Sequence, residues 1–411
     1  MKKFINATML IVAALFAFTA CLSDNPYSPI VENDEEVSIF LRIDEAEFQT
    51  RHTGNQFTGG TTTFRFGHLF LTTPTGAIVE HFTISDAAAS ALNINRTALF
   101  DNGVTIENVP VSVRNGRVVL VGNTAITGNP THIDQVKATV IDVRHQHAFV
   151  FPAGNANPQL ANLFGSANLR YHRTEPNGIR VYRPIIGNTM TPVAADFAPV
   201  RLRPTTAHLN FYNLVGAGNV QSFTIEGVFI DRYYRQARVD GTPVTASFRN
   251  NVTAGRAFNE NSSGYPNAFR GYTWDWHAAG LQSTPTAITI GSTNLGNLPM
   301  ARLDTSGHHW FYNLFAHENT TAPRIVFRLR DVQVAGEPAP RPTQFVVFDR
   351  FVWCQSNTNH TEGTPFPGIS AGNIYSIAEN RLLFYEGDLR ATIPTTLSTL
   401  STRAIPIMIK E

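Results

Sequence analysis

The sequence predicts an all-β protein with two β-sandwiches in tandem and few short helices, and three observations lead to this prediction. Short apolar runs alternate with a period of two, and clusters of Gly, Pro, Asn and Asp separate them. Charged residues make up only 15% of the 411 residues, whereas about 25% is usual for soluble domains. Thr, Asn, Ser and Gln must therefore form much of the surface.

The first twenty residues have the features of a signal peptide. Lys2 and Lys3 precede an apolar run at 9–18, which is too short to span a bilayer. Small residues then lead to Cys21, and this arrangement resembles a lipobox, although Phe18 stands where Leu is usual. The sequence thus predicts a lipoprotein signal peptide over 1–20 and lipidation of Cys21. The alternative is an ordinary signal peptide followed by an incidental cysteine.

An acidic stretch over residues 21–35 follows this cysteine and contains few apolar residues. Such a composition predicts a flexible tether. It resembles the acidic segment of surface-exported lipoproteins in some Gram-negative anaerobes.

Strand predictions begin after the tether. Val37, Ile39, Leu41 and Ile43 fall on one face of an alternating segment, which indicates a half-buried strand. Further strands are predicted at 63–66, 117–121, 136–143, 207–212, 223–230, 324–329 and 344–353.

One short helix and one domain boundary complete this prediction. The helix is expected after a Ser85 cap, within 85–99. Prolines over 192–204 predict a boundary, which divides the chain into an N-terminal segment at 36–51 and domains at 52–197 and 198–411.

Several segments, taken in order, resemble the fimbrillin family, the lipoprotein pilins that build type V pili. They are 118–123, 201–207, 223–228, 310–315, 367–375 and 383–389. The resemblance implies sandwiches of transthyretin-like or Greek-key type and a cell-surface fimbrium that supports adhesion. It also implies that other pilin subunits, identical or minor, are partners, and that a precursor is anchored in the outer membrane through its lipid.

The C-terminus has the pattern expected of a strand that joins subunits. Subunits can associate when an extended segment of one completes the sheet of the next. Ile405, Ile407 and Ile409 alternate with Ala404, Pro406 and Met408, and this pattern matches the face formed by Val37, Ile39, Leu41 and Ile43. We therefore predict a donor strand at about 403–411 and a displaced strand that carries Val37, Ile39, Leu41 and Ile43.

Two qualifications apply to this tail. Pro406 donates no backbone hydrogen bond, which favours a place at an edge or at an outward-facing gap. The alternative to a donor strand is a terminal strand that closes its own sandwich.

Exchange of these strands requires removal of the first one. The family resemblance implies an arginine-specific protease, and Arg51 lies in a polar stretch where such a protease could cut before His52. Arg42 is also near but is predicted to lie inside a strand. Cleavage after Arg51 would remove Cys21 with its lipid, as expected for a shaft subunit. Without the resemblance, Arg51 is more simply a solvated side chain.

Other function classes find little support in the sequence. The net charge of +1 gives no electrostatic reason for binding nucleic acid. We find no H-E-x-x-H, G-x-S-x-G or P-loop motif, so we predict no enzyme, catalytic residue, metal or cofactor. His145 and His147 are interpreted as a surface pair, and Cys354 as a small buried side chain.

A second hypothesis is a surface-anchored lipoprotein that binds a glycan or a host protein without polymerising, including a tip or anchor subunit. Trp274 and Trp276 flank Asp275, and a Trp face can stack on a sugar ring while a carboxylate accepts hydroxyl hydrogen bonds. The alternative is that both Trp side chains belong to the core. Such an anchored protein would keep Cys21.

Overall fold

The computed structural model describes twelve segments of the chain. They are residues 36–44, 46–47, 61–62, 64–142, 161–212, 214–249, 288–291, 309–316, 323–353, 368–377, 382–391 and 405–409. Strands dominate these segments, which confirms the all-β class. No helix in these segments is long and apolar enough to cross a membrane.

The strands in the first half of the chain form mainly one sheet. In chain order they are β1 (Val37–Leu41), β2 (Ile43–Asp44), β3 (Ala46–Glu47), β4 (Thr61–Thr62), β5 (Gly67–Thr72), β6 (Ile78–Ser85), β7 (Asn93–Asn95), β8 (Val104–Val109), β9 (Arg117–Gly122), β10 (Val140–Asp142), β11 (Leu163–Thr174), β12 (Arg180–Ile185), β13 (Val200–Arg201) and β14 (Arg203–Pro204). Two short helices, α1 (Arg96–Asp101) and α2 (Ile133–Lys137), interrupt them. The main sheet has the order β7-β6-β5-β9-β11-β12-β1-β8, and β14 pairs with β11.

The second half of the chain contributes two larger sheets and several short pairs. Its strands are β15 (Ala207–Tyr212), β16 (Leu214–Gly216), β17 (Val220–Asp231), β18 (Tyr233–Tyr234), β19 (Gln236–Arg238), β20 (Phe248–Arg249), β21 (Ile288–Gly291), β22 (His309–Leu314), β23 (Arg324–Val334), β24 (Arg341–Phe348), β25 (Phe351–Trp353), β26 (Ile374–Ile377), β27 (Leu382–Phe384) and β28 (Ile405–Ile409). One sheet has the order β22-β15-β26-β28-β25, and the other has the order β21-β17-β23-β24.

Two large apolar clusters lie among the described residues. The first contains side chains of the N-terminal sheet from Val37 to Leu202, and the second runs mainly from Ala207 to Leu389. Phe384 lies inside the second cluster, with its ring centroid 5.0 Å from that of Phe223 and 5.1 Å from that of Phe327. The division into two tandem sandwiches stays a prediction.

The two halves of the chain also contact each other. β10 pairs with β19 in an antiparallel ladder, and Ile141 of β10 belongs to the second cluster. A third, smaller cluster joins Phe70 and Val119 of the N-terminal sheet to Val136 of α2 and to Val239. The second half of the chain therefore covers part of the outer face of the N-terminal sheet.

The predicted helix within 85–99 is misplaced. Residues 86–89 are not helical; the helix begins at Arg96, and the Asn95 side chain caps it by accepting from the Ala98 amide. Asn93 donates its side-chain amide to the carbonyl oxygens of Ala87 and Ala88. These two carbonyls are therefore not available to the turns that a helix at this position would need.

Three strand predictions differ from the structure in their bounds. The strand expected at 63–66 begins only at Gly67, the first part of 136–143 lies in α2, and the run 344–353 is divided at Asp349 and Arg350. The strand over 207–212 agrees with β15 at both ends.

Candidate functional site

The candidate site is the place that β1 occupies in the N-terminal sheet. The alternating side chains Val37, Ile39, Leu41 and Ile43 are at most 1% exposed and belong to the first apolar cluster. Arg42 is exposed and Phe40 is half-buried. Full burial of an aliphatic side chain contributes about 1.5–3 kcal/mol, so this short strand stabilises the N-terminal core substantially.

β1 pairs with a different strand on each side. β12 runs parallel to β1, with Ser38 opposite Val181 and Ile39 opposite Tyr182. β8 runs antiparallel to β1 on the other side, with Ile39 opposite Ile106. Within the part of the chain that the structure describes, β8 joins this sheet only through β1. Removal of β1 would therefore expose the edge of β12 and detach β8 from the ladder.

The segment that follows β1 is tied down less extensively. Arg42 lies between β1 and β2 rather than inside a strand, which corrects the prediction, and its carbonyl oxygen accepts from the Val200 amide at 2.8 Å. β2 then pairs with β13 over two residues.

A short hairpin-like pair encloses the predicted cleavage site. β3 pairs with β4 in an antiparallel ladder, with Ala46 opposite Thr62. Arg51 and His52 lie in the connection between these two strands, outside the described residues. The segment ahead of this connection, which includes β1, is joined to the later strands by one covalent connection and by the pairings of β1, β2 and β3.

The outer face of β1 borders a cavity of about 620 Å³. The Arg183 guanidinium lies over the Phe40 ring at 4.9 Å from its centroid and also approaches the Phe197 ring, at 5.8 Å. His172 packs edge-on against Phe197. Burial lowers the pKa of His172, and the positive charges of Arg183 and Arg173 lower it further. Phe40 is therefore held among cationic and aromatic groups, not in the apolar core.

The C-terminal strand lies in the chain's own sheet. β28 pairs with β25 in parallel and with β26 in an antiparallel ladder. Pro406 thus sits in a strand bonded on both sides and not at an edge, contrary to the expectation from its missing amide. In this single chain the tail closes its own sheet, which is the alternative that the sequence left open.

The tail and β1 hold their sheets together in the same way. Among the described residues, β25 joins its sheet only through β28, as β8 joins its own only through β1. Each of these two five-residue strands therefore connects an edge strand to the rest of a sheet.

Several predicted site residues lie outside the described part of the chain. They are Cys21, Arg51, His52, His145, His147, Trp274, Trp276 and Cys354. Within the described segments, no group of three or more His, Cys, Asp or Glu could hold a metal ion.

The sequence analysis missed a second histidine pair. His68 Nδ1 lies 3.0 Å from His81 Nε2 on the neighbouring strand, and the Ile126 amide donates to His68 Nε2 at 3.4 Å. Because that Nε2 accepts, His68 carries its proton on Nδ1 and donates to His81. Burial, followed by the nearby His81, lowers the pKa of His68 to about 4. Only the pairing of β5 with β6 brings these residues together.

Comparisons with known proteins gave matches among solved structures only. No family model matches the chain, and no curated protein matches its sequence. A protein from Parabacteroides distasonis, described as a putative cell adhesion protein, is 12% identical, with a TM-score of 0.49 over 92% of this chain and 100% of the other. A fimbrilin from Porphyromonas gingivalis is also 12% identical, with a TM-score of 0.48 over 92% and 98%.

A third similar structure is a tip fimbrial protein from Porphyromonas gingivalis. It is 9% identical, with a TM-score of 0.40 over 83% of this chain and 94% of the other. The group thus includes fimbrillins, the family that the sequence resembles.

Proposed function

We propose that this chain is a structural subunit of a cell-surface pilus, a shaft subunit that polymerises by strand exchange. The observation that supports this proposal is the place of β1. It is a short segment near the N-terminus whose apolar side chains are at most 1% exposed, and it alone connects β8 to the described N-terminal sheet.

The proposed pathway has three steps. The chain is exported as a precursor with a lipid on Cys21, which anchors it in the outer membrane. An arginine-specific protease then cuts after Arg51, in the connection between β3 and β4. Finally, β1 leaves and the tail of another subunit fills its place, with Ile405, Ile407 and Ile409 toward the core.

The energetics explain why cleavage must come first. The four apolar side chains of the departing segment together contribute roughly 6–12 kcal/mol, at about 1.5–3 kcal/mol each. While the segment is covalently attached, it is an intramolecular partner of the sheet. A strand from another subunit must then compete with it and replace the whole of this contribution. After the cut, the departing strand is lost by dilution, and the tail that replaces it remains attached to a neighbouring subunit.

Exchange also has a cost at the donor. The tail must leave the place between β25 and β26, where β28 closes its own sheet. The apolar surface released there is buried again in the acceptor, and the connection restored to β8 is offset by the connection that β25 loses in the donor. Loss of the cleaved β1 segment by dilution is therefore what drives the exchange. Because hydrophobic burial is lost before it is regained, we expect slow assembly and a durable fibre.

The pairing of β28 within its own sheet favours a second candidate function. A chain whose tail stays there would be a subunit or surface lipoprotein that does not polymerise and keeps Cys21. Such a protein would be an anchor or tip subunit, or would bind a glycan or host protein at the surface.

N-terminal sequencing of surface protein from producing cells tests the proposal. We expect the wild-type chain and an Arg42→Ala control to begin at His52 and to form ladders on mildly denaturing gels. Arg51→Ala should remain a lipidated precursor without ladders. Wild-type fibres that retain residues 37–51 would refute the proposal and favour the second candidate.

A further inference from the structure

We infer the register in which the tail of one chain enters the place of β1 in a second copy: Ile405 at the position of Val37 and Ile409 at that of Leu41. This inference rests on the proposed strand exchange and specifies its geometry. Both segments are strands of five residues, and each lies between one parallel and one antiparallel neighbour.

The strand pairings of the two places match at the second and third positions in this register. On the parallel side, Pro406 faces Val352 where Ser38 faces Val181, and Ile407 faces an aromatic residue, Trp353, where Ile39 faces Tyr182. On the antiparallel side, Ile407 faces Ile377 where Ile39 faces Ile106. The place of β1 therefore offers Pro406 and Ile407 partners of the same kind as in the tail's own sheet, whereas Ile409 faces Tyr375 in its own sheet and would face Val104 in the acceptor. The parallel neighbour is the edge strand only in the tail's own sheet.

The proline fits at one position of this place. The pairing of β1 with β8 is interrupted by a bulge between Val37 and Ile39, so no residue of β8 faces Ser38. Asn108 has a φ of 56° at this bulge. A proline lacks the backbone N–H and is tolerated where the ladder is locally broken. The inferred register places Pro406 at Ser38, where no antiparallel pair with β8 is broken and where Val181 of β12 takes the place that Val352 has in the tail's own sheet.

The outward-facing side chains fit as well. The register places Met408 at Phe40, which is half-buried beneath the Arg183 guanidinium and next to the outer cavity. An unbranched, flexible side chain can fill such an irregular, partly open space.

A shift by two residues is the main competing register. It would place Ile409 at Ile43 but would put Pro406 at Phe40, which has a partner on β8 in Thr105. It would also place Arg403 at Val37, which is 1% exposed. The inferred register instead places Glu411 at Ile43.

Cysteine pairs in assembled fibres test the register, in a Cys354→Ser background that removes the native thiol of the C-terminal half. Directly opposed residues of antiparallel strands have Cα atoms about 4.5–5.5 Å apart, within reach of a disulfide. Met408→Cys with Thr105→Cys reports the inferred register. Pro406→Cys with Thr105→Cys reports the shifted one, and Met408→Cys with Ser376→Cys reports a tail in its own sheet. Single-cysteine variants are the controls.

We expect the M408C/T105C fibres to give ladders on boiled non-reducing gels that collapse on reduction. Ladders from P406C/T105C instead would overturn the register and keep strand exchange. An M408C/S376C bond within every chain of the fibre, without ladders from either other pair, would overturn the proposed exchange itself.

Glu411→Ile gives a second readout that does not depend on disulfides. In the inferred register it would put an apolar side chain where Ile43 was, so the fibre should need more denaturant to dissociate. In the shifted register Ile409 already fills that place, and the variant should leave dissociation unchanged. An unchanged midpoint together with P406C/T105C ladders would therefore reject the inferred register twice.

Discussion

Replacement of Ile39 by Ala separates the role of β1 in the precursor from its role in the fibre. Ile39 is fully buried and paired on both sides, with Tyr182 and with Ile106. Removal of such a side chain costs about 2–5 kcal/mol through lost burial and the cavity left behind. If cleavage and exchange occur as proposed, the assembled subunit no longer contains this residue.

The expected result is therefore asymmetric. In an uncut Arg51→Ala background, Ile39→Ala should lower the free energy of unfolding by about 2–5 kcal/mol, measured by urea titration of detergent-purified chain. This loss corresponds to roughly 30-fold to several thousand-fold in the equilibrium that releases the strand. In the cleavable chain, fibres assembled from the same variant should dissociate at the wild-type denaturant concentration.

Leu69→Ala is the matched control, because Leu69 is equally buried but lies on β5, which the mature subunit keeps. It should destabilise both the uncut chain and the fibre. The reasoning would be refuted if Ile39→Ala weakened the fibre as much as Leu69→Ala does, since β1 would then still be present in the assembled subunit.

Two further predictions concern the stability of the N-terminal sheet. The pKa of His68 is lowered from 6.5 to about 4, so the unfolded chain binds more protons than the folded chain between these pH values. The free energy of unfolding should therefore rise with pH across this window. His68→Gln should flatten the rise in urea midpoints measured from pH 4 to 6.5, and an unchanged slope would count against the buried pair. Gly116→Ala should lower the free energy of unfolding by about 1–3 kcal/mol or more, because an added Cβ would overlap the Thr72 carbonyl oxygen. Gly387→Ala is the control: no atom lies within 4 Å of an added Cβ there, so it should leave stability unchanged in the same thermal or urea assay.

Some parts of the site could be predicted because they depend on local pattern. The alternation of Val37, Ile39, Leu41 and Ile43 follows from the two-residue period of a strand, and the structure buries all four side chains. The strand at 207–212 was recognisable for the same reason.

Other parts required contacts distant in sequence. The alanine run after Ser85 suggests a helix, but the amides of Asn93 and Asn95 bind the carbonyl oxygens that such a helix would use. The run at 63–66 alternates like a strand, yet Phe64 instead packs over Gly67 and Gly122, whose missing side chains leave room for its ring. Local propensity cannot anticipate either outcome.

The sequence by itself determined that the chain is rich in strands and that its two ends carry similar apolar, alternating segments, because side-chain period is a local property of an extended backbone. Only the tertiary structure decided which neighbours those segments have. It places β1 between β12 and β8 and the tail between β25 and β26, and it puts a bulge opposite Ser38. Strand pairing joins residues far apart in the chain, so which strands become neighbours depends on the packing of the whole core and not on any one segment.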